Sequence, residues 1–263
     1  MILGKILKYK KAEVASAKRR LPLAPLKNSV SKLAVRKPGR FARALRRRGR
    51  VQVIAEIKRK SPSKGILRKD FSPVTIAKAY ERAGAAAISV LTDKRFFGGS
   101  SGIFKRVRKA VDLPLLRKEF ILDVYQVYES RLLGADAILL IAGALSAAKL
   151  RSLSKLAAEI GLDVLFEVHD RRELKKIAPL RPALIGVNNR DLKTFAVDIR
   201  TTERLLPFMP RSAGVVSESG IASADDLRRL GRQGVCAVLV GETLMRERDI
   251  EAGLRKLLGG ARG

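Results

Sequence analysis

The sequence has no tryptophan, one histidine, one cysteine, and aromatic residues at only 5%. A single cysteine, Cys236, cannot close an internal disulfide, and with only His169 beside it no Cys/His zinc site can be assembled. Neither staple is needed, because a chain of 263 residues can bury roughly 75% of its unfolded surface. A reducing, cytoplasmic setting is expected. Long hydrophobic runs are also missing. Lysines interrupt the apolar residues of Met1–Lys10, which removes the core a signal peptide needs, and no stretch is long enough to span a bilayer. The scarcity of aromatics removes the stacking platforms of single-strand binders, and no helix-turn-helix, RNP-like or zinc-finger pattern occurs.

Acidic residues are few. Asp and Glu number 25 against 55 Lys and Arg, a net charge of +30, and residues 1–50 hold 17 basic residues with one acid, Glu13. Such a surplus favours anionic partners: nucleic acid, a membrane surface, a small anionic substrate, or none in particular. Here it is spread over many helical segments. The expected partner is therefore a small anionic substrate, with no specific nucleic acid, no membrane and a monomeric chain.

What the sequence does have is alternation. Strand-like apolar runs occur at Val51–Ile57, Ala86–Leu91, Leu113–Lys118, Ala137–Ile141, Asp163–Val168, Ala183–Asn188, Gly214–Ser217 and Ala237–Val240. Helical patterns fall between and after them, near Pro73–Ala83, Gly102–Ala110, Val124–Leu133, Ser146–Ile160, Arg171–Ile177, Arg200–Leu206, Ala224–Leu230 and Ile250–Leu258. Apolar strands separated by helices imply a parallel sheet covered by helices, and eight such units imply closure into a (β/α)8 barrel, one α/β domain over residues 1–263. An open doubly wound sheet would want a Gly-x-Gly-x-x-Gly turn after the first strand, and there is none. Residues 1–50 predict two or three short helices packed on the barrel. Ile2, Leu3, Ile6 and Leu7 make an apolar stripe with lysines opposite, Leu21-Pro-Leu-Ala-Pro-Leu26 breaks the helix, and Phe41–Gly49 forms another that ends at glycine.

Strand one carries the first candidate site. Side chains alternate along a strand, so Ile54, Glu56 and Lys58 share one face while Val53, Ala55 and Ile57 take the other. An acid and a base at the end of an apolar run are either a structural ion pair or a functional pair. Other strand ends add Lys118, Glu167, Asn188 with Arg190, and Glu218 with Ser219. In a barrel these ends meet at one mouth, where the chemistry of the architecture is placed. Ser217-Glu-Ser-Gly-Ile221 and Val240-Gly-Glu-Thr-Leu-Met245 follow strands seven and eight, the usual phosphate site. Gly220 and Gly241 would let backbone N–H groups approach an anion, with Glu242 opening a helix and Ser61 adding a hydroxyl.

Ile54-Ala-Glu-Ile-Lys-Arg-Lys-Ser-Pro-Ser-Lys-Gly65 closely resembles the signature of the indole-3-glycerol phosphate synthases. The likeness continues through Val90-Leu-Thr-Asp93, Phe97-Gly-Gly-Ser100, Leu116-Arg-Lys-Glu-Phe120, Leu165-Phe-Glu-Val-His169, Gly186-Val-Asn-Asn-Arg-Asp-Leu192, Ser217-Glu-Ser-Gly220 and Val240-Gly-Glu-Thr-Leu-Met245. The resemblance implies a cofactor-free carboxy-lyase of tryptophan biosynthesis. It would convert 1-(2-carboxyphenylamino)-1-deoxyribulose 5-phosphate to indole-3-glycerol phosphate, losing carbon dioxide and water. It further implies Lys118 as general acid, Glu167 as acid–base partner in dehydration, and Lys58 as the contact to the substrate carboxylate. Glu56, Asn188 and Glu218 would orient these groups, with Ser61, Arg190, Ser219, Gly220, Gly241 and Glu242 around the substrate and its phosphate. A lysine near a second cation and partly desolvated would have its pKa lowered, and nearby glutamates would pull it back up. Glu119 departs from the family, where aspartate is expected, and by strand parity it should point away from Lys118. Two rival functions make different demands on the sequence. A phosphoribosylanthranilate isomerase would need a cysteine on strand one, whereas Cys236 lies near strand eight; a non-catalytic polyanion binder would have a degenerate site.

Overall fold

Apolar runs too short to be helices must satisfy their backbone in a ladder, and amphipathic segments between them cover it. In the computed structural model, which describes residues 2–47, 49–191 and 194–259, the runs form β1 (Gln52–Ile57), β2 (Ala87–Leu91), β3 (Leu115–Lys118), β4 (Ala137–Ile141), β5 (Asp163–Val168), β6 (Leu184–Asn188), β7 (Gly214–Glu218) and β8 (Ala237–Val240). Met1, Arg48, Leu192, Lys193 and residues 260–263, all within the domain expected over residues 1–263, lie outside the described residues. The eight strands close into a parallel barrel in sequence order, with β1 pairing both β2 and β8. Leu113 and Pro114 stay out of β3, as proline has no N–H for a ladder. An antiparallel pair, Lys60–Ser61 with Gly65–Ile66, decorates the loop after β1.

The helices are α1 (Ile2–Arg20), α2 (Leu23–Ser31), α3 (Arg40–Leu45), α4 (Pro73–Ala83), α5 (Ser101–Ala110), α6 (Val124–Leu132), α7 (Ala147–Glu159), α8 (Arg171–Ile177), α9 (Arg200–Leu205), α10 (Ala224–Arg232), α11 (Glu242–Arg246) and α12 (Ile250–Leu257). Local chemistry sets their starts. Ser100, Asp123, Ser146, Asp170 and Asp249 each accept a backbone N–H of the first turn, and Ser223 with Asp226 forms a reciprocal capping box.

Two apolar layers follow from strand parity. Val53, Ala55 and Ile57 face the helices, whereas Ile54 joins Leu116, Leu139, Leu165, Val216 and Leu239 inside the barrel. Each fully buried side chain of this size contributes about 1.5–3 kcal/mol. The amino-terminal end of the barrel is plugged by α3, whose Phe41 and Leu45 are fully buried in the interior cluster. Asp163, at the start of β5, holds that plug by accepting the N–H groups of Gly39 at 2.5 Å and Ala42 at 3.0 Å. Buried Asp136 binds Arg36, Arg40 and Arg108 within 3.0–3.2 Å, so the segment before β1 is tied to the barrel floor.

The first fifty residues depart from expectation in four ways. The first helix runs for 19 residues rather than a short stretch. The helix break is confined to Leu21 and Pro22, because Pro25 sits in the first turn of α2, where a missing N–H costs nothing. The next helix stops at Leu45, ahead of Gly49. Lys10 is also not opposite the apolar stripe of α1 but inside it, buried with Ile6 and Val14.

Candidate active site

Parity at the carboxyl ends of the strands decides what the mouth contains. Glu56 and Lys58 from β1 and the turn after it, Lys118 from β3, Glu167 from β5, Asn188 from β6 and Glu218 from β7 all line one cavity of about 140 Å³. Ser61, Arg190, Ser219 and Glu242 line it too. Gly220 and Gly241 line an adjoining hollow of about 420 Å³ that shares Glu56, Lys58, Arg190, Ser219 and Glu242 with the first. All twelve residues singled out in the sequence therefore converge.

Lys118 is the hub. Its ammonium is hydrogen-bonded to Glu218 Oε2 and lies 3.3 Å from Glu167 Oε2. Burial alone would lower its pKa, but Glu218, Glu167 and Glu56 outweigh that and raise it above the ordinary lysine value. The expected lowering does not prevail: two carboxylates in contact with the ammonium and a third nearby favour its charge. Glu218 is pushed up to about 7, since it is buried and faces Glu167 and Glu56, against the pull of Lys118. Glu167 goes the other way, below the usual carboxylate range despite burial, because Lys118, His169 and Asn188 favour its charge. Two adjacent carboxyls thus hold different protonation tendencies, which is how acid and base roles are divided.

The surrounding contacts explain this arrangement. Asn188 donates to Glu167 Oε1 at 3.2 Å and accepts from Ser219 Oγ and the Arg190 N–H, each at 3.0 Å. Lys58 pairs with Glu56 at 2.7 Å, so the pair is an ion pair and also part of the cavity wall. Close backbone approach needs glycine at two places: a Cβ on Gly186 would lie 2.1 Å from Glu218 Oε1, and one on Gly241 would lie 2.3 Å from Glu56 Oε2. Among the described residues, buried Glu218 Oε1 and Ser61 Oγ have no hydrogen-bond partner, a costly condition that a ligand can relieve. An apolar wall of Ile2, Leu3, Ile6, Phe97, Phe120 and Ile141 faces the charges.

The glycine loops form the second hollow. Ser219 adopts a left-handed φ of 69° and Gly220 one of 82°, a conformation held where Asn189 donates to the Ser219 carbonyl at 2.9 Å. Thr243 donates to the Ile221 carbonyl at 2.8 Å and ties the two loops together. Glu242 departs from a simple phosphate-contact role. Its carboxylate is 3.5 Å from Arg190 and 3.2 Å from Arg246, so an anion would meet the N–H groups that begin α11 and not this side chain. Among the described residues no group of three or more His, Cys, Asp or Glu is placed to hold a metal ion.

Several contributors were not found from sequence. Lys64 and Arg246 add positive charge around the glycine hollow. His169 spans two glutamates, with Nδ1 3.1 Å from Glu173 and Nε2 3.5 Å from Glu167; burial opposes its charge, but these carboxylates raise its pKa. Asn189 is buried and bonds Ser217, Ser219 and Thr202. The doubled asparagine in Gly186-Val-Asn-Asn was the available signal, with one amide facing the mouth and its neighbour, by parity, the wall. Glu119 does point away from Lys118, into contacts with Thr92 and Lys10. Among the described residues no helix is long and apolar enough to cross a membrane.

Comparison with known proteins agrees with this geometry. Solved structures with the same fold include a tryptophan synthase alpha-subunit mutant from Pyrococcus furiosus, with TM-score 0.61 at 16% identity, covering 79% of this chain and 98% of that one. KGPDC from Streptococcus mutans matches with TM-score 0.61 at 10% identity, covering 80% and 96%. At such identities these show the barrel alone. Sequence relatives go further. A protein named indole-3-glycerol phosphate synthase from Chlorobium luteolum is 51% identical over 250 residues, 94% of each chain. One of the same name from Caldanaerobacter subterraneus is 48% identical over 262 residues, 99% of this chain and 100% of that one. The family profile described as indole-3-glycerol phosphate synthase matches residues 3–257. With the mouth so arranged and the match nearly end to end, the chain belongs to the indole-3-glycerol phosphate synthase family.

Proposed function

We propose that this protein is a carboxy-lyase that closes the indole ring of indole-3-glycerol phosphate from 1-(2-carboxyphenylamino)-1-deoxyribulose 5-phosphate, in the cytoplasm, as a monomer and without a cofactor. Family membership supports the reaction, and one observation carries the assignment of roles: Lys118 lies between Glu167 and Glu218 beneath an apolar wall, beside a glycine hollow.

The substrate ring packs on Ile2, Leu3, Ile6, Phe97 and Phe120, and its carboxylate meets Lys58. Its phosphate enters the glycine hollow, where the N–H groups near Gly220 and Gly241, the Ser61 hydroxyl, Arg190, Lys64 and Arg246 supply donors and charge. As the ring carbon bearing the carboxylate attacks the ketone carbon, negative charge develops on the ketone oxygen. Lys118, held as an ammonium by its glutamates, stabilises that charge and delivers a proton; a forming alkoxide is basic enough to take it. Loss of carbon dioxide returns the bonding electrons to the ring. Dehydration then removes a proton from the methylene carbon beside the nitrogen in the new five-membered ring and places one on the departing hydroxyl. Glu167, held as a carboxylate and oriented by Asn188, takes the first and passes it to the second, so water leaves and the ring double bond forms. Glu218, with its pKa of about 7, is placed to restore the proton on Lys118.

Incubating the purified protein with this substrate is expected to give indole fluorescence that rises with enzyme concentration. Absence of product at high enzyme concentration would refute the reading. The polyanion-binding alternative is not favoured, since the ten polar positions and two glycines are all present and converge; it would require binding to nucleic acid with a steep salt dependence.

A further inference from the structure

We infer that Lys10, on the amino-terminal helix, is a positioning residue that locks α1 over the barrel mouth and so completes the wall on which the substrate ring packs. The inference rests on the function proposed above and adds a residue to it.

A lysine in the buried stripe of a helix is expelled or neutralised unless it is paired. Lys10 is 1% exposed, and its ammonium lies 3.0 Å from each of Glu13, Asp93 and Glu119. Burial works against the charge, but the carboxylates of Glu119 and Asp93 raise its pKa above the ordinary lysine value. Glu119 is correspondingly held below the usual range despite complete burial, with Lys10 the leading cause.

The partners of Lys10 make this more than an anchor. Asp93 follows β2, and its other oxygen accepts the N–H groups of Phe96 at 2.7 Å and Phe97 at 3.2 Å. Glu119 directly follows Lys118 and accepts from the Phe120 N–H at 2.8 Å and from the Thr92 hydroxyl at 2.7 Å. Phe97 and Phe120 pack together, ring centres 6.0 Å apart, and both line the cavity. On α1 itself, Ile6 lies one turn from Lys10 and Ile2 two turns away, and both line the cavity. One ammonium therefore joins three of the elements that make the apolar wall, and its grip on Glu119 fixes the end of the strand that carries Lys118. The extension has separate attachments elsewhere, at Lys18 with Asp123 and at Arg36 and Arg40 with Asp136. None of those residues lines the mouth cavity.

The test compares Lys10→Met, Glu119→Gln and the double variant by steady-state kinetics and by amide hydrogen exchange. Disrupting the lock loosens substrate binding more than chemistry. Lys10→Met is expected to raise KM by about tenfold or more with kcat changed by less than about threefold, and the double variant should fall short of the product of the singles because the residues act as one unit. Exchange should quicken in residues 2–9 and in the loop of residues 94–99, but not in α3. If Lys10→Met does not fold, Glu119→Gln, which keeps the contact to Asp93, carries the test with the same pattern. Unchanged KM in the folded variants, with lowered thermal stability alone, would overturn the proposal. If the wild type forms no product, the function fails while exchange still decides the lock: faster exchange at residues 2–9 and 94–99 supports it, and unchanged exchange there refutes it.

Discussion

Replacing Lys118 with methionine removes one charge at nearly constant volume, and the consequences can be worked from its neighbours. Glu167 and Glu218 are 4% and 1% exposed, and the ammonium between them is their shared counter-charge. Breaking a buried pair by removing one partner costs about 3–5 kcal/mol. In a domain of this size each kcal/mol is worth about 2–4 °C, so a fall of about 10 °C in Tm is expected at pH 8. The sign with pH follows from the carboxyls left behind. Without the cation Glu218 rises further above the unfolded value of about 4.3 and Glu167 loses the main charge that holds it below, so in the variant burying these carboxyls is tolerated at low pH, where they are protonated, and becomes destabilising as pH rises. The Tm gap between Lys118→Met and wild type should therefore be small at pH 5 and widen toward pH 8. Removing a general acid lowers kcat by about 10²–10⁴-fold. Circular dichroism melts at the two pH values and the fluorescence assay measure both effects. A kcat within tenfold of wild type, or a Tm gap independent of pH, would refute the reasoning.

Other outcomes follow from the same geometry. The pH profile of kcat/KM should show an inflection near pH 7 from Glu218, and Glu218→Gln should abolish it; persistence of the inflection in that variant would assign it elsewhere. Gly186→Ala places a Cβ 2.1 Å from Glu218 Oε1 and must displace the carboxylate, so kcat should fall about 100-fold with a destabilisation of only about 1–3 kcal/mol, checked by kinetics and urea unfolding. Asp136→Asn unpairs three arginines at the barrel floor and should destabilise by about 3 kcal/mol in urea while kcat/KM well below the melting temperature stays at the wild-type value.

The barrel was legible because periodicity reports faces. Val53, Ala55 and Ile57 face the helices while Ile54, Glu56 and Lys58 face inward, as a period of two requires, and the same parity turns the carboxylate of Glu119 from Lys118 toward Thr92 and Lys10. Strand ends were legible to within two residues, and the candidate residues converged because a closed barrel leaves their ends nowhere else to go. Periodicity does not name partners. Lys10 looks like an interruption of an apolar stripe, since its carboxylates come from residues 83 and 109 positions later as well as from Glu13. The direction of the Lys118 shift was equally hidden: a nearby lysine and nearby glutamates push oppositely, and the two carboxylates in contact with its ammonium decide. Asn189 reads as a duplicate of Asn188 until the φ of Ser219 shows what it holds. The twin arginines of Arg36 and Arg40 on Asp136 account for part of the basic surplus of the first fifty residues, as structural pairs at the floor.

The central claim, that Lys118 and its glutamates drive ring closure coupled to decarboxylation, is tested most directly by quantifying carbon dioxide and indole product in one reaction. Wild-type protein should release the two in equal amounts, and Lys118→Met should release neither above about one-hundredth of that rate. Product without carbon dioxide, carbon dioxide without product, or undiminished release of both by Lys118→Met would contradict it.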